Sequence, residues 1–226
     1  MKKKLVVLSG AGVSAESGVK TFRDHNGLWE NYRIEDVASP EGFRRNPQLV
    51  LDYYNQRRRQ LTEVSPNSAH ILLQKLEQKF DVHIITQNVD DLHERAGSKK
   101  VLHLHGELIK ARPVNASAPL VSWEGDLNWG DLNENGIQMR PHIVWFGEAV
   151  DKMGEAIDIV AAADLFLVIG TSMSVYPAAA LIDYIPDYCS VFIIDPALNV
   201  EHYKAEKYYK APATTGMKML VDYLFE

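Results

Sequence analysis

The sequence predicts an α/β fold, a doubly wound parallel sheet that carries a smaller inserted module. Four short runs of β-branched and large apolar residues recur along the 226 residues: LVVL (5–8), VHIIT (82–86), LFLVIG (165–170) and SVFIID (190–195). Uninterrupted apolar runs of this length suit strands buried on both faces. Helical patterns lie between them, giving the strand–helix alternation of such sheets. Each run also ends in small or polar residues, where open parallel sheets gather their ligands.

The first run leads into Gly10-Ala11-Gly12 and Ala15, at the G-x-G-x-x-A spacing of a dinucleotide-binding turn. Alone this is a weak signal. The acid that normally follows about 20 residues later, after a second strand, holds the ribose of a dinucleotide used for hydride transfer. Glu30, Glu35 and Asp36 are present here, but no strand precedes them. The continuation SAESG and TFRD is richer than an ordinary turn and places Ser14, Ser17, Phe22 and Arg23 within reach of phosphates.

Residues 20–65 read as helical and polar, with no sheet strand. Within them Tyr54 and Arg57 fall three apart on one helix face. A phenol beside a guanidinium suits a carboxylate, whereas the Arg57-Arg58-Arg59 run also reads as a solvated face. Pro66 to Phe80 carries a helix start and apolar residues at 69, 72, 73, 76 and 80. The second strand ends in Gln87-Asn88-Val89-Asp90. In VLHLHGEL (101–108), His103 and His105 share one face of an extended segment. His105, next to Gly106, sits where a strand end meets a cleft, and neutral imidazole is a natural general base.

Residues 107–141 show no clear period, so this segment and 20–65 together predict the smaller module. The sheet domain then comprises 1–19, 66–106 and 142–226, all in one domain. RPHIVWFGE (140–148) suits either a core strand or an edge strand that accepts a peptide. GEAIDIVAAAD (154–164) reads as an amphipathic helix. The third strand leads into Gly170-Thr171-Ser172 and the fourth ends at Asp195.

The net charge of −6 argues against a nucleic-acid partner. The apolar stretch after Lys2–Lys4 is too short for a signal peptide or membrane span, which predicts a soluble cytoplasmic protein with no membrane partner. The single cysteine, Cys189, excludes a disulfide within the chain and a cysteine-held zinc, and its apolar context predicts a buried, inert thiol.

Taken together, GAGVSAESGVKTFR, TQNVDDLHERAG, HLHGEL, PHIVWFGE and GTSMSVYPAA resemble the sirtuin family of NAD-dependent protein-lysine deacylases. The motifs occur in the family's order and span nearly the whole chain. The resemblance implies an inverted Rossmann-type sheet and an NAD cleft beside the small module. It also accounts for the missing acid, because the family consumes NAD instead of reducing it. By resemblance, Gly10, Ala11, Gly12, Ala15, Glu16, Phe22 and Arg23 line the NAD site. Gln87, Asn88, Val89 and Asp90 hold the nicotinamide ribose and carboxamide. Gly170, Thr171 and Ser172 take the adenosine side, with Asp195 and Ala213 completing the set. His105 matches the general base, and Asn88 joins it in catalysis.

The resemblance further implies that Val144, Phe146, Gly147, Glu148 and Val175 bind an acyl-lysine peptide as an added strand. VASPEGF and YYNQRRR look like the family's desuccinylase branch, so Tyr54, Arg57 and Ala38 would receive an acidic acyl group. Arg58 and Arg59 keep the solvated reading. The implied products are free lysine, nicotinamide and O-acyl-ADP-ribose. An NAD-dependent ADP-ribosyltransferase, a non-enzymatic NAD sensor and a dehydrogenase are the rival readings. Two departures stand out. Most members hold the small module with a four-cysteine zinc site, yet no cysteine lies between Lys110 and Arg140. A zinc-free module packed around Leu120, Val121, Trp123, Leu127, Trp129 and Ile137 is expected instead. The second departure is Asp195, which stands where the family usually has Asn.

Overall fold

The computed structural model describes residues 2–20, 28–29, 32–115, 119–197 and 204–225. In chain order the first elements are β1 (Lys4–Ser9), α1 (Gly12–Ala15), β2 (Leu28–Trp29), β3 (Tyr32–Arg33), α2 (Ile34–Val37), α3 (Pro40–Arg45) and α4 (Pro47–Glu63). There follow α5 (Ser68–Leu76), β4 (Asp81–Thr86), α6 (Leu92–Arg95), β5 (Val101–His103), β6 (Gly106–Pro113), β7 (Val121–Ser122) and β8 (Met139–Ile143). The last are α7 (Met153–Val160), β9 (Leu165–Ile169), a 3₁₀ turn at Ala178–Tyr184, β10 (Ser190–Ile194), β11 (Lys207–Tyr209) and α8 (Ala213–Phe225).

The main sheet runs β11-β10-β9-β1-β4-β5, all parallel. Chain order proceeds outward on both sides of β1, so the crevice of a doubly wound sheet opens beyond the ends of β1 and β9. The four apolar runs form the middle of the sheet. Leu5 and Val7 face α5 and α8, while Val6 and Leu8 face α7 and the 3₁₀ turn. Both faces are dry, which is why these strands read as continuous apolar runs. The flanking strands β5 and β11 are three residues each and half-exposed, too short to stand out in sequence.

Local signals start the helices. Ser39 and Asn46 each accept a backbone N–H of the helix they precede, with proline next in line. Asn67 caps α5, and His70 reaches back to the Asn67 N–H. Among the described residues no helix is long and apolar enough to cross a membrane.

The smaller module differs from its sequence reading in three ways. Residues 20–65 do contain strands, the short antiparallel pair β2 and β3. Residues 107–141 contribute a three-stranded antiparallel sheet, β7-β6-β8. A register shift between Glu107 and Ala111 breaks the alternation of β6, so no period could be read there. The module's core also lies elsewhere than expected. Leu127 is fully buried and Trp123 packs against the core, but Leu120 and Val121 are exposed and Trp129 is 55% exposed. The buried cluster comes instead from the helices α2–α4 (Val37, Phe43, Val50, Leu51, Tyr53, Tyr54) and from Leu108, Ala111, Met139, Ile143 and Trp145.

Arg58 is likewise not a solvated residue. It is 4% exposed, and its guanidinium donates to the Leu108 carbonyl (3.1 Å) and to Asn55 Oδ1 (2.7 Å). Asn55 in turn grips the 123–131 loop, donating to the Leu127 carbonyl (3.1 Å) and accepting the Leu127 N–H (2.8 Å). Gln138 holds the same loop through the Gly130 N–H and the Asn128 carbonyl. Arg59 keeps its exposed position, paired with Asp126. Cys189 is half-buried, not buried, and that burial pushes its thiol up to about 11, which keeps it unreactive.

Candidate active site

Beyond the ends of β1, β4, β9 and β10 lies a cavity of about 510 Å³, walled on its far side by the small module. The loops after β1 and β9 meet at its floor. Gly12 N–H donates to the Gly170 carbonyl (2.8 Å), and Gly10 N–H to the Ile169 carbonyl (3.1 Å). A Cβ on Gly12 would sit 2.7 Å from Gly170 Cα, so the glycines serve this loop crossing as well as any approach to a phosphate.

Gly10, Ala11, Gly12, Ala15, Glu16, Gln87, Asn88, Val89, Asp90, His105, Gly170, Thr171, Ser172, Asp195 and Ala213 all line this one cavity. Tyr54, Ala38, Val144, Phe146, Gly147, Glu148 and Val175 line it too. Phe22 and Arg23 lie outside the described residues. Arg57 does not reach the lining; its guanidinium carbon stands 5.5 Å from the centre of the Tyr53 ring. Partial burial lowers the Arg57 pKa to about 10, so it remains a cation at neutral pH. The sequence reading missed Lys20, which also lines the cavity, and Trp145, whose place inside WFGE was its only signal.

The polar end is built on one buried hydroxyl. Ser14 Oγ donates to Asp90 Oδ2 (3.0 Å) and accepts from Asn88 Nδ2 (3.2 Å). Ser14 is fully buried, so it braces Asn88 and Asp90 and does not face phosphates as the sequence suggested. Ser17 is similarly committed, accepting from Asn67 Nδ2. Burial pushes the Asp90 carboxyl above the usual carboxylate range. Glu16 accepts both the backbone N–H and the hydroxyl of Thr214, which fastens α8 beside α1. Gln87 Nε2 donates to Thr171 Oγ1 (3.0 Å), joining the β4 and β9 ends.

The two histidines separate by their partners. His105 Nδ1 lies 3.0 Å from the Gln87 carbonyl, which only accepts, so Nδ1 carries the proton and Nε2 is the basic nitrogen. His103 bonds to acceptors on both sides, Nδ1 to the Asn88 carbonyl (2.9 Å) and Nε2 to Glu94 (2.8 Å). Its pKa is raised: burial works against the charged ring, and the Glu94 carboxylate outweighs it. His103 therefore braces the 87–90 turn, which leaves His105 as the candidate base.

Burial lowers the His105 pKa from the ordinary 6.5, with the Gln87 bond opposing only in part. A base works unprotonated, so activity is lost as pH falls through that lowered pKa. With His105 as the base, the acid limb of kcat/KM is expected below pH 6.5, and a pH–rate profile measures it. A limb above 6.5 would assign the base to another group.

The opposite end is apolar and aromatic. Tyr54 and Trp145 are both nearly fully buried, with Trp145 Nε1 donating to the Tyr54 hydroxyl (3.0 Å). Glu148 pins the turn that follows β8: it accepts the Trp145 N–H (2.8 Å) and pairs with Arg140 (2.6 Å) and Arg112 (3.3 Å). These two arginines hold its carboxyl below the usual range against the effect of burial. Val144 N–H donates to the His105 carbonyl and Phe146 N–H to the Ala38 carbonyl, so this turn joins the base to the aromatic end.

The profile of the Sir2 family matches residues 10–177. An NAD-dependent protein deacylase of Helicobacter pylori is 57% identical over 200 residues, covering 88% of this chain and 87% of its own. One from Bacteroides thetaiotaomicron is 54% identical over 200 residues, with 86% of each chain covered. Among solved structures, a mutant Sir2 homologue in complex with ADP-ribose superposes with a TM-score of 0.90 at 37% identity, over 99% of this chain and 92% of the other. A Sir2 homologue–NAD complex gives 0.88 at 37% identity, over 99% and 90%.

Proposed function

The chain belongs to the Sir2 family and is an NAD-dependent protein deacylase, and we propose that it favours lysines bearing acidic acyl groups, succinyl and malonyl, while also accepting acetyl-lysine. One observation carries the chemistry: a base with an assigned tautomer, His105, shares a single cavity with both glycine loops and with the aromatic end.

NAD is the co-substrate and supplies a ribose carbon that becomes electrophilic as its nicotinamide bond breaks. The glycine loops and Asp195 hold its adenosine and phosphate parts, with Phe22 and Arg23 as further cofactor contacts. Asn88 and Asp90, braced by Ser14, hold the nicotinamide ribose. His105 Nε2 takes a proton from a ribose hydroxyl so that this oxygen can attack the acyl carbon. The peptide lies as an added strand between Phe146–Glu148 and the segment 173–176. No nucleic acid or membrane takes part, in keeping with the net charge of −6, and the enzyme works in the cytoplasm. The small module needs no zinc. No cysteine is available there, and the Asn55 and Gln138 amides already tie its loop together.

For acyl choice, Ala38 leaves room and Tyr54 lines the cavity, with Arg57 one helical turn away as the cation. Support for this is that Arg57 is half-buried yet stays charged, one turn along the helix that carries the cavity-lining Tyr54. The test is a panel of succinyl-, malonyl- and acetyl-lysine peptides with NAD, reading nicotinamide release and product mass. Arg57→Met is expected to lower kcat/KM on succinyl peptide roughly tenfold or more relative to acetyl peptide, the scale of one charge-assisted hydrogen bond. Equal losses on both would remove Arg57 as the carboxylate receptor. O-acyl-ADP-ribose in solution is the expected product; ADP-ribose attached to protein would mark the transferase reading, which the relatives' activity does not favour.

A further inference from the structure

We propose that Trp145 is a positioning residue for acyl selectivity, holding the Tyr54 hydroxyl so that the phenol's own proton is reserved for an acidic acyl group. The inference deepens the acyl preference proposed above and rests on it.

A phenol oxygen accepts and also donates one proton, whereas an indole only donates. The 3.0 Å contact from Trp145 Nε1 therefore fills an acceptor position of Tyr54 and leaves its O–H unspent. No acceptor for that proton exists among the described residues, although Tyr54 is 1% exposed and lines the cavity. A buried donor without an acceptor is costly, and a ligand carboxylate ending at this wall would satisfy it. Burial also raises the phenol's pKa well above its ordinary value, so the proton stays in place at any working pH.

The indole is built to stay put. The Arg140 guanidinium lies 3.2 Å from the centre of its ring, and the Phe43 ring packs on it at 5.2 Å. Its backbone N–H is held by Glu148, itself clamped by Arg140 and Arg112. The N–H of the next residue, Phe146, is bound to the Ala38 carbonyl. Trp145 thus sets the direction of the Tyr54 hydroxyl from a rigid frame that also fixes the small residue of the same pocket.

The test is Trp145→Phe, which keeps a ring beneath Arg140 and removes the N–H. With saturating NAD, the ratio of kcat/KM for succinyl over acetyl peptide is expected to fall roughly three- to tenfold, the range of one neutral hydrogen bond, with the KM for NAD unmoved. Tyr54→Phe should lower the ratio as well, and the double variant should fall no further than Tyr54→Phe alone, because Trp145 acts only through Tyr54. If Trp145→Phe does not fold, benzothienylalanine at 145 keeps the bicycle and deletes only the donor. A ratio unchanged by either substitution at 145, with Tyr54→Phe still effective, overturns the role of Trp145 alone. An additive double variant does the same. A ratio unchanged by Tyr54→Phe overturns the acidic-acyl reading and this inference with it.

Discussion

His105→Ala is expected to lower turnover on acyl-lysine peptides by roughly 10²–10⁴-fold, the usual worth of a positioned general base. NAD affinity should change little. Among the described residues the ring is held at one nitrogen, by the Gln87 carbonyl, and the glycine loops that floor the cavity form their contacts without it. Removing the imidazole also releases a backbone carbonyl that is only part-buried, so folding should survive. Single-turnover rates report the chemistry, and calorimetric titration of NAD reports the binding. Turnover close to wild type would take the base assignment away from His105. A parallel collapse of NAD affinity would make His105 a binding residue instead.

Gly170→Ala is expected to be severely damaging for a single-methyl change. Gly170 has φ +60°, a conformation that costs residues with a Cβ about 1–2 kcal/mol. The added Cβ would lie 2.3 Å from Val13 N and 2.6 Å from Gly12 C, backbone atoms that cannot rotate away. Overpacking of this kind adds about 1–3 kcal/mol. A melting temperature lower by roughly 10 °C follows for a chain of this size, together with weakened NAD binding, because the two cavity-floor loops must part. Gly154→Ala serves as the control: nothing lies within 4 Å of its Cβ, and its melting temperature should match wild type. Equal behaviour of the two variants would refute the loop-crossing argument.

What could be read from the sequence follows from how each part is packed. The four central strands were legible because both their faces are dry, which forces continuous apolar runs. Their polar ends were legible because a doubly wound sheet gathers its ligand there, and the proposed cavity residues that the structure describes line one space, except Arg57, Ser14 and Ser17. The strands β5 and β11 were not legible, being too short to impose a pattern. The small-module sheet was hidden by the irregular register of β6. Arg58 looked like a neighbour of Arg59, yet one is buried on a carbonyl and the other paired at the surface; a run of three like residues does not reveal which faces inward. Ser14 was placed correctly in the loop and wrongly in direction, since spacing does not distinguish a hydroxyl that greets a ligand from one that supports those that do.

Tyr54 and Asn55 are consecutive residues of α4, one at the cavity wall and the other clasping the Leu127 backbone at both its donor and its acceptor. Such a two-point grip resists sliding and rotation of the helix alike. The Tyr54 end of the cavity, the proposed acyl end, consequently has a fixed jaw: its width changes by exchange of side chains such as Ala38, not by travel of α4. In the proposed peptide mode, accommodation of varied sequences would fall to the mouth, where Phe146 and Tyr176 stand in solvent. On the proposed acyl reading, such an arrangement would make the enzyme strict about the chemical group on the lysine and lenient about the protein that carries it.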